Sequence, residues 1–355
     1  MLIRYQPSIV NGMTHDDRLS AASAPHSPAQ NSDISGELWD VIIIGGGAAG
    51  LSAALILARA RRRVLVLDAH EPRNRFAPHM HGVLSRDGYS PLDLVADGYR
   101  EVRAVDGVIE NARVVETRAT ADGFEVVTDS GGLATGRRLI VATGTRDRLP
   151  DIPGLAEQWG RGVVACPYCD GYEASGTAIG VLAGSVMGLH VAHMLRAYSN
   201  DITVFTSLAG ELPEDERMLL EERGMRIDDR TVTHVVTEGD SITGLGLADG
   251  SVAALDVVFA QPTPTALDEP LRQLGVAQTE TPIGLWTAVD GFGRTSVDGV
   301  FAVGNSGIPN ALVPIAMGSG AMAALTINGE LVAEDVAAAS ARVAQRRGVD
   351  AGVGH

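Results

Sequence analysis

The stretch Asp40-Val-Ile-Ile-Ile-Gly45-Gly-Gly47-Ala-Ala-Gly50 constrains the fold more than any other part of this chain. An apolar run that ends in G-x-G-x-x-G and opens into an alanine- and leucine-rich segment reads as strand, tight turn and helix. Gly45 permits the turn, Gly47 lets the backbone approach a pyrophosphate, and Gly50 allows helix and strand to pack closely. The helix start offers free N–H groups and the positive end of a dipole to phosphates. Val64 to Leu67 is the next strand, and Asp68 ends it eighteen residues after Gly50, where a carboxylate accepts from ribose hydroxyls. A glycine turn without a ligand is the competing reading, and the position of Asp68 weighs against it. The motif alone does not separate FAD from NAD.

This βαβ unit implies a parallel sheet. A second unit follows about 135 residues later: a strand at Ala178 to Leu182, a helix from about Gly188 to Tyr198, and a strand at Ile202 to Phe205. Proline-bearing joints at Leu149 to Pro153 and near Pro282 bracket it. The expected architecture is therefore α/β, with two Rossmann-like dinucleotide-binding domains, the second inserted into the first. The boundaries read as a mobile leader over 1–37, a first domain over 38–150 plus 285–338, a second over 151–284, and a tail over 339–355. Leu139-Ile-Val-Ala142-Thr143-Gly144 and Thr295 to Gly304-Asn305 are strands that end in small-residue turns, and the second leads into a helix from about Pro314 to Asn328.

The chain has 355 residues, enough for two domains and large cores. All 28 of its basic residues are arginine, against 44 acidic residues, for a net charge of −16. That balance gives no electrostatic footprint for nucleic acid or anionic lipid. Glycines interrupt the two long uncharged runs, at 41–58 and 304–329, and no apolar segment marks a secretion signal in residues 1–30. No membrane span and a cytoplasmic location are expected.

Only two cysteines occur, in Cys166-Pro-Tyr-Cys169-Asp170-Gly. C-x-x-C at a helix start brings two sulfurs within disulfide reach and lowers one thiol pKa. Proline suits the first helical turn, and Asp170 is a candidate proton donor or acceptor. Half a metal site and two buried thiols are the alternatives. A metal needs further soft ligands, and none lie nearby, so no metal is expected. Glutaredoxins share C-P-Y-C, but at the first strand of a small domain.

Together, Gly45 to Gly50, Asp68, Ala142 to Gly144, Cys166 to Gly171 and Thr295 to Asn305 resemble the thioredoxin reductase-like flavoproteins over residues 38–335. The resemblance implies FAD in the first domain, NADPH in the inserted one, and two subunits that pair. It further implies that Cys169 faces the flavin, Cys166 exchanges with substrate, and Asp170 serves as the acid beside the second cysteine.

The second glycine motif departs from that pattern. Ala183 and Ser185 stand where its first two glycines belong, and only Gly188 is kept. The following strand ends Val204-Phe-Thr206-Ser-Leu208, without the histidine and arginines that meet a 2′-phosphate; Arg217 is the next cation, and Glu211 the next acid. On the flavin side, the family's Gly-Asp becomes Gly304-Asn305, where Asn305 can bond a ribityl hydroxyl, and its Arg-Gln pair becomes Ala311-Leu312. A chain without nicotinamide must take electrons elsewhere. The expected function is an FAD-dependent dithiol oxidase, acting on a small molecule and passing electrons to O2. This is the character of the dithiol oxidases of gliotoxin- and holomycin-type biosynthesis, which Glu71-Pro-Arg-Asn74 and His79-Met-His81 also resemble. The alternative is an NADPH- or ferredoxin-dependent reductase of the thioredoxin reductase type. A redox sensor without turnover is the third possibility, and the intact cysteine pair opposes it. His190 and His193 are expected on a solvated or core-edge face, and Met317 and Met322 in packing.

Overall fold

The computed structural model describes Gly36 and residues 38–352. The rest of the expected leader lies outside the described residues. The first sheet begins with β1 (Leu38–Ile44), α1 (Ala48–Arg59), β2 (Val64–Asp68), α2 (Pro91–Arg103) and β3 (Val108–Asn111). All five residues of β2 are buried, as expected for a parallel strand covered on both faces. Ser90 caps α2 by accepting from the Asp93 N–H, and Pro91 takes its first turn. The chain continues through β4 (Val114–Thr120), β5 (Gly123–Thr128) and β6 (Leu133–Val141). The strand order is β3-β2-β1-β6-β5-β4. β1 pairs in parallel with both β2 and β6, while β4, β5 and the start of β6 form an antiparallel meander.

β7 (Thr145–Arg148) leads away from this sheet, into β8 (Val163–Val164) and the short α3 (Pro167–Asp170) that carries the cysteines. β9 (Ile179–Leu182), α4 (Val186–Leu195), β10 (Ile202–Phe205), α5 (Glu214–Glu222) and β11 (Arg226–Asp228) repeat the pattern of the first domain. The meander β12 (Val232–Glu238), β13 (Ser241–Leu247) and β14 (Val252–Ala254) follows, then β15 (Val257–Ala260). These strands give an all-parallel sheet, β11-β10-β9-β15-β8, with the meander as a separate sheet. Each sheet thus has the sequential 3-2-1 order around its own glycine turn, as two dinucleotide folds require.

The return strand β16 (Thr263–Ala266) pairs antiparallel with β7, so outward and return crossings run side by side. The sequence placed the return at 285. The structure places it about twenty residues earlier. α6 (Glu269–Gln273) already packs on the first domain: Gln273 accepts from the Thr117 N–H at 2.7 Å, and Leu271 and Val276 join the first-sheet core. The ribbon β17 (Gln278–Thr281) and β18 (Gly284–Thr287) precedes β19 (Val300–Ala302), which adds to β6 in parallel.

The final helix, α7 (Val313–Gly352), runs well past Asn328. Gly329 does not stop it, because the alanine-rich segment that follows has high helix propensity. By length and composition α7 is long and apolar enough to cross a membrane. One of its faces, including Ala323, Ala324, Ile327 and Leu331, is nonetheless buried in the first-domain core against α1.

Candidate active site

A cleft of about 350 Å³ runs from the first glycine turn to the cysteine pair. Its walls include Gly45, Gly47, Asp68, Ala142, Thr143, Gly144, Cys166, Cys169, Asp170, Gly304 and Asn305. Among the residues singled out from sequence, Gly50 alone lies beneath the cleft, where an added Cβ would strike the Gly45 carbonyl. Gly45 has φ +103°, and a Cβ there would meet the Ala142 carbonyl oxygen at 2.5 Å. At Gly47, by contrast, no atom lies within 4 Å of an added Cβ. Gly47 is also the N-cap of α1 and makes no side-chain cap bond, so the helix's first N–H groups point into open space. This is a cradle shaped for a pyrophosphate.

Asp68 does more than the sequence indicated. Its Oδ1 accepts from the Gly46 N–H at 2.8 Å, while Oδ2 accepts from the His70 N–H and the Tyr99 hydroxyl. A lone pair on Oδ1 is left for a ribose hydroxyl. Burial, together with the Asp68 carboxylate, pushes the Tyr99 phenol far up, so it remains a donor. Gly46 was missed as a site residue: an added Cβ would meet the Asp68 Cγ at 2.8 Å.

The two small-residue turns are tied together. Ser306 Oγ accepts from the Gly144 N–H at 2.8 Å, and the Thr143 hydroxyl donates to the Leu267 carbonyl at 2.7 Å. The Asn305 amide nitrogen is spent on its own loop. Nδ2 donates to the carbonyls of Ile308, Pro309 and Ala311 at 3.2, 2.9 and 3.2 Å, and so shapes the loop that enters α7. An aspartate here would point a charge at three carbonyls, which explains the departure from Gly-Asp. Only Oδ1 is left to meet a ribityl group. Ala311, Leu312 and Val313 make this end of the cleft apolar.

Cys166 is the N-cap of α3, and both cysteines are free thiols, partly buried. The Cys169 thiol donates to the Cys166 sulfur, whose pKa falls; the backbone N–H groups of Cys169 and Tyr168 act in the same direction, and burial opposes them. Cys169 is pushed far up by that same shared proton and by burial. Of the two, Cys166 is the one that ionises more readily. Asp170 is raised to about 6, first by burial, then by the Glu173 carboxylate, with His81 opposing. His81 lies 3.4 Å from both Asp87 and Glu173. His79 and His81 line the cleft. Sequence reasoning also missed Arg73. Its guanidinium grips Asp147 at 2.8 and 2.6 Å on the cleft wall, and its charge favours the Cys169 thiolate.

The second dinucleotide fold is differently furnished. Leu208 stands beside Gly184, 3.7 Å from where its Cβ would be. The Thr206 hydroxyl donates to Asp229, and Arg217 donates to both Asp229 oxygens, at 3.0 and 3.1 Å. Arg230 is held by Asp228 and Asp249. Three carboxylates against two guanidinium groups leave this corner net negative. Asp229 directly follows β11, beyond the reach of a motif reading. His193 bonds Glu216 at 3.0 Å, and no metal-binding cluster exists among the described residues.

The chain matches the pyridine nucleotide-disulphide oxidoreductase family over residues 39–325. It belongs to that family. The thioredoxin reductase tcpT of Claviceps purpurea (strain 20.1) is 36% identical to it over 315 residues, covering 83% of this chain and 95% of the relative. The thioredoxin reductase sirT of Leptosphaeria maculans is 33% identical over 320 residues, covering 85% and 97%. The crystal structure of HlmI superposes with a TM-score of 0.82 at 41% identity, covering 88% of this chain and 98% of that one. The protein is an FAD flavoprotein and a flavin redox enzyme of disulfide-oxidoreductase type. The empty space over Gly47 and the uncapped start of α1 fit that cofactor.

Proposed function

We propose that this enzyme is a dithiol oxidase that closes a disulfide in a small natural-product dithiol and reduces O2 to H2O2. The observation that carries this reading is the net negative corner at the second dinucleotide fold, where both nearby arginines are already held by carboxylates. A nicotinamide coenzyme with a 2′-phosphate would meet repulsion there. The kinship with tcpT, sirT and HlmI supports the same reading.

Gly45, Gly47 and Gly50 with the start of α1 would hold the FAD pyrophosphate, Asp68 a ribose, and Ala142 to Gly144 with Gly304 and Asn305 the remainder. Bound FAD would take the electron pair from the reduced Cys166 and Cys169, which restores their disulfide, and would pass it to O2. The chain's own residues manage sulfur and protons. A substrate thiolate attacks Sγ of Cys166 in the Cys166–Cys169 disulfide, and Cys169 leaves as a thiolate. Cys169 leaves readily at this step, because the proton-sharing Cys166 thiolate that raised it is engaged in the mixed disulfide. The second substrate thiolate then attacks the substrate's own sulfur in the mixed disulfide, and Cys166 departs as the easily formed thiolate. Asp170, titrating near neutrality, takes the proton from the substrate thiol. Once neutral, it no longer repels the neighbouring thiolates. Overall, one dithiol and one O2 give one disulfide and one H2O2. We further propose that the reaction is cytoplasmic and that the enzyme is made of two copies of the chain.

One observation favours the reductase alternative: Ser185 does not cap α4, whose first N–H groups are therefore open to a phosphate. An oxygen electrode separates the two readings. The oxidase consumes O2 with a dithiol alone and releases equimolar peroxide. Oxygen uptake or disulfide reduction that requires NADPH would overturn it.

A further inference from the structure

A dithiol gives up two protons in each turnover, and one carboxylate holds only one of them. Asp170 is half-buried, so it has to be emptied before the second thiol can lose its proton. The wall on which Asp170 stands separates two hollows. His79, His81, Gly160 and Asp170 line the cofactor cleft and also a second hollow of about 390 Å³. Glu173, whose side chain is exposed, lines the second hollow and not the first.

His81 sits in the loop between β2 and α2. The Met80 N–H donates to the Tyr89 carbonyl and the Gly88 N–H to the Met80 carbonyl, both at 2.9 Å, and these bonds close the turn around it. Nδ1 of His81 lies 3.4 Å from Asp87 Oδ2, and Nε2 lies 3.4 Å from Glu173 Oε1, in the turn that follows α3. Asp87 is itself anchored by the Gly82 N–H at 2.8 Å. An imidazole with a carboxylate at each nitrogen can take a proton on one side and give one up on the other. His79 is less free to do so, because its Nδ1 donates to the Gly88 carbonyl at 3.1 Å and helps to hold the turn. The other charged groups around the second hollow are Arg161, Asp240 and Asp256. Arg161 donates to the Glu157 carbonyl, and Asp256 accepts from the Ala178 N–H. His81 stands close enough to Asp170 for its charge to favour that carboxylate, whereas Glu173 disfavours it.

We infer that His81 empties Asp170 between the two thiol deprotonations and passes the proton out through the second hollow. The first substrate S–H gives its proton to Asp170, and the thiolate left behind attacks Sγ of Cys166. Asp170 hands that proton to His81, which releases it to solvent on the Glu173 side. The second S–H then meets an ionised Asp170 again. Two protons leave the substrate in this way. The electron pair travels separately through the cysteines, and two protons from solvent complete H2O2. His81 acts through Asp170 and is a positioning residue; it does not touch the reacting sulfurs. This role rests on the dithiol oxidase reading.

Oxygen uptake driven by dithiothreitol in the FAD-loaded enzyme, followed across the neutral range, tests it. His81→Ala should keep its flavin absorbance and lose roughly 10²-fold in kcat, the low end for a positioned acid–base group, with little change in KM. Free imidazole should restore much of that loss, because the gap left beside the second hollow admits it in place of the missing ring; the wild type should not respond. His81→Gln fills the space and keeps hydrogen-bonding groups, but it carries no proton between them. It should be as slow as His81→Ala and deaf to imidazole. Its pH limb, near 6 in the wild type, should move up, since a cation that favours the Asp170 carboxylate is gone. If His81→Ala fails to hold FAD, the rate and limb of His81→Gln decide. A wild type inert to dithiothreitol would sink the oxidase reading and the relay with it. An active wild type matched by His81→Gln would sink the relay alone. A slow His81→Ala that holds FAD and ignores imidazole would reduce His81 to a prop of its loop and overturn the inference.

Discussion

Replacing Asp170 by asparagine separates two consequences of burying one carboxyl. Burial and the Glu173 carboxylate lift Asp170 from an ordinary 3.8 to about 6. At roughly 1.4 kcal/mol per pH unit, ionising it costs the folded state at most about 3 kcal/mol. The folded chain holds this proton more tightly than the unfolded chain does. Its contribution to stability is therefore fully present below the ordinary 3.8 and is lost as pH rises through about 6. Asp170→Asn carries no such charge. It should match the wild type near pH 4 and exceed it near pH 8 by up to about 3 kcal/mol, a shift of several degrees in Tm. Turnover should fall by roughly 10²- to 10⁴-fold, the usual share of a positioned acid–base group. The assay is thermal unfolding at both pH values, alongside dithiol-dependent oxygen uptake across the neutral range. Wild-type kcat/KM should rise with pH through a limb near 6 that Asp170→Asn lacks. A variant that keeps the limb and gains no stability in alkali would refute the assignment.

Four further substitutions probe the cleft. Asn305→Asp exchanges three donated hydrogen bonds for a charge facing carbonyls, at a cost of roughly 1–3 kcal/mol; purified protein should carry less FAD, read from the ratio of flavin to protein absorbance. Gly46→Ala forces a methyl to 2.8 Å from the Asp68 Cγ, an overpacking of roughly 1–3 kcal/mol that should weaken FAD retention on dialysis. Cys166→Ser and Cys169→Ser should each abolish dithiol-dependent turnover while keeping the yellow colour, and continued oxygen uptake in either variant would remove the pair from the chemistry.

Features written in consecutive residues were legible from sequence. The turn at Gly45, the packing of Gly50, the parallel sheets they imply and the cysteine pair all follow from local spacing. Features that depend on partners far along the chain were not. Asp68 looked like a free ribose acceptor because nothing near it in sequence announces Tyr99. The grip of Arg73 on Asp147 spans 74 residues. Asp229 reaches Thr206 across the strand pairing of β10 and β11. The domain return was misplaced because Pro282 reads as a joint, whereas the crossing is fixed by the pairing of β16 with β7.

Rapid mixing under anaerobic conditions tests the central claim most directly. The yellow enzyme is mixed with a dithiol, and separately with NADPH, while the flavin absorbance is followed. The account predicts that the dithiol bleaches the flavin within the turnover time and that NADPH does so far more slowly, if at all. Rapid bleaching by NADPH, with none by the dithiol, would contradict it.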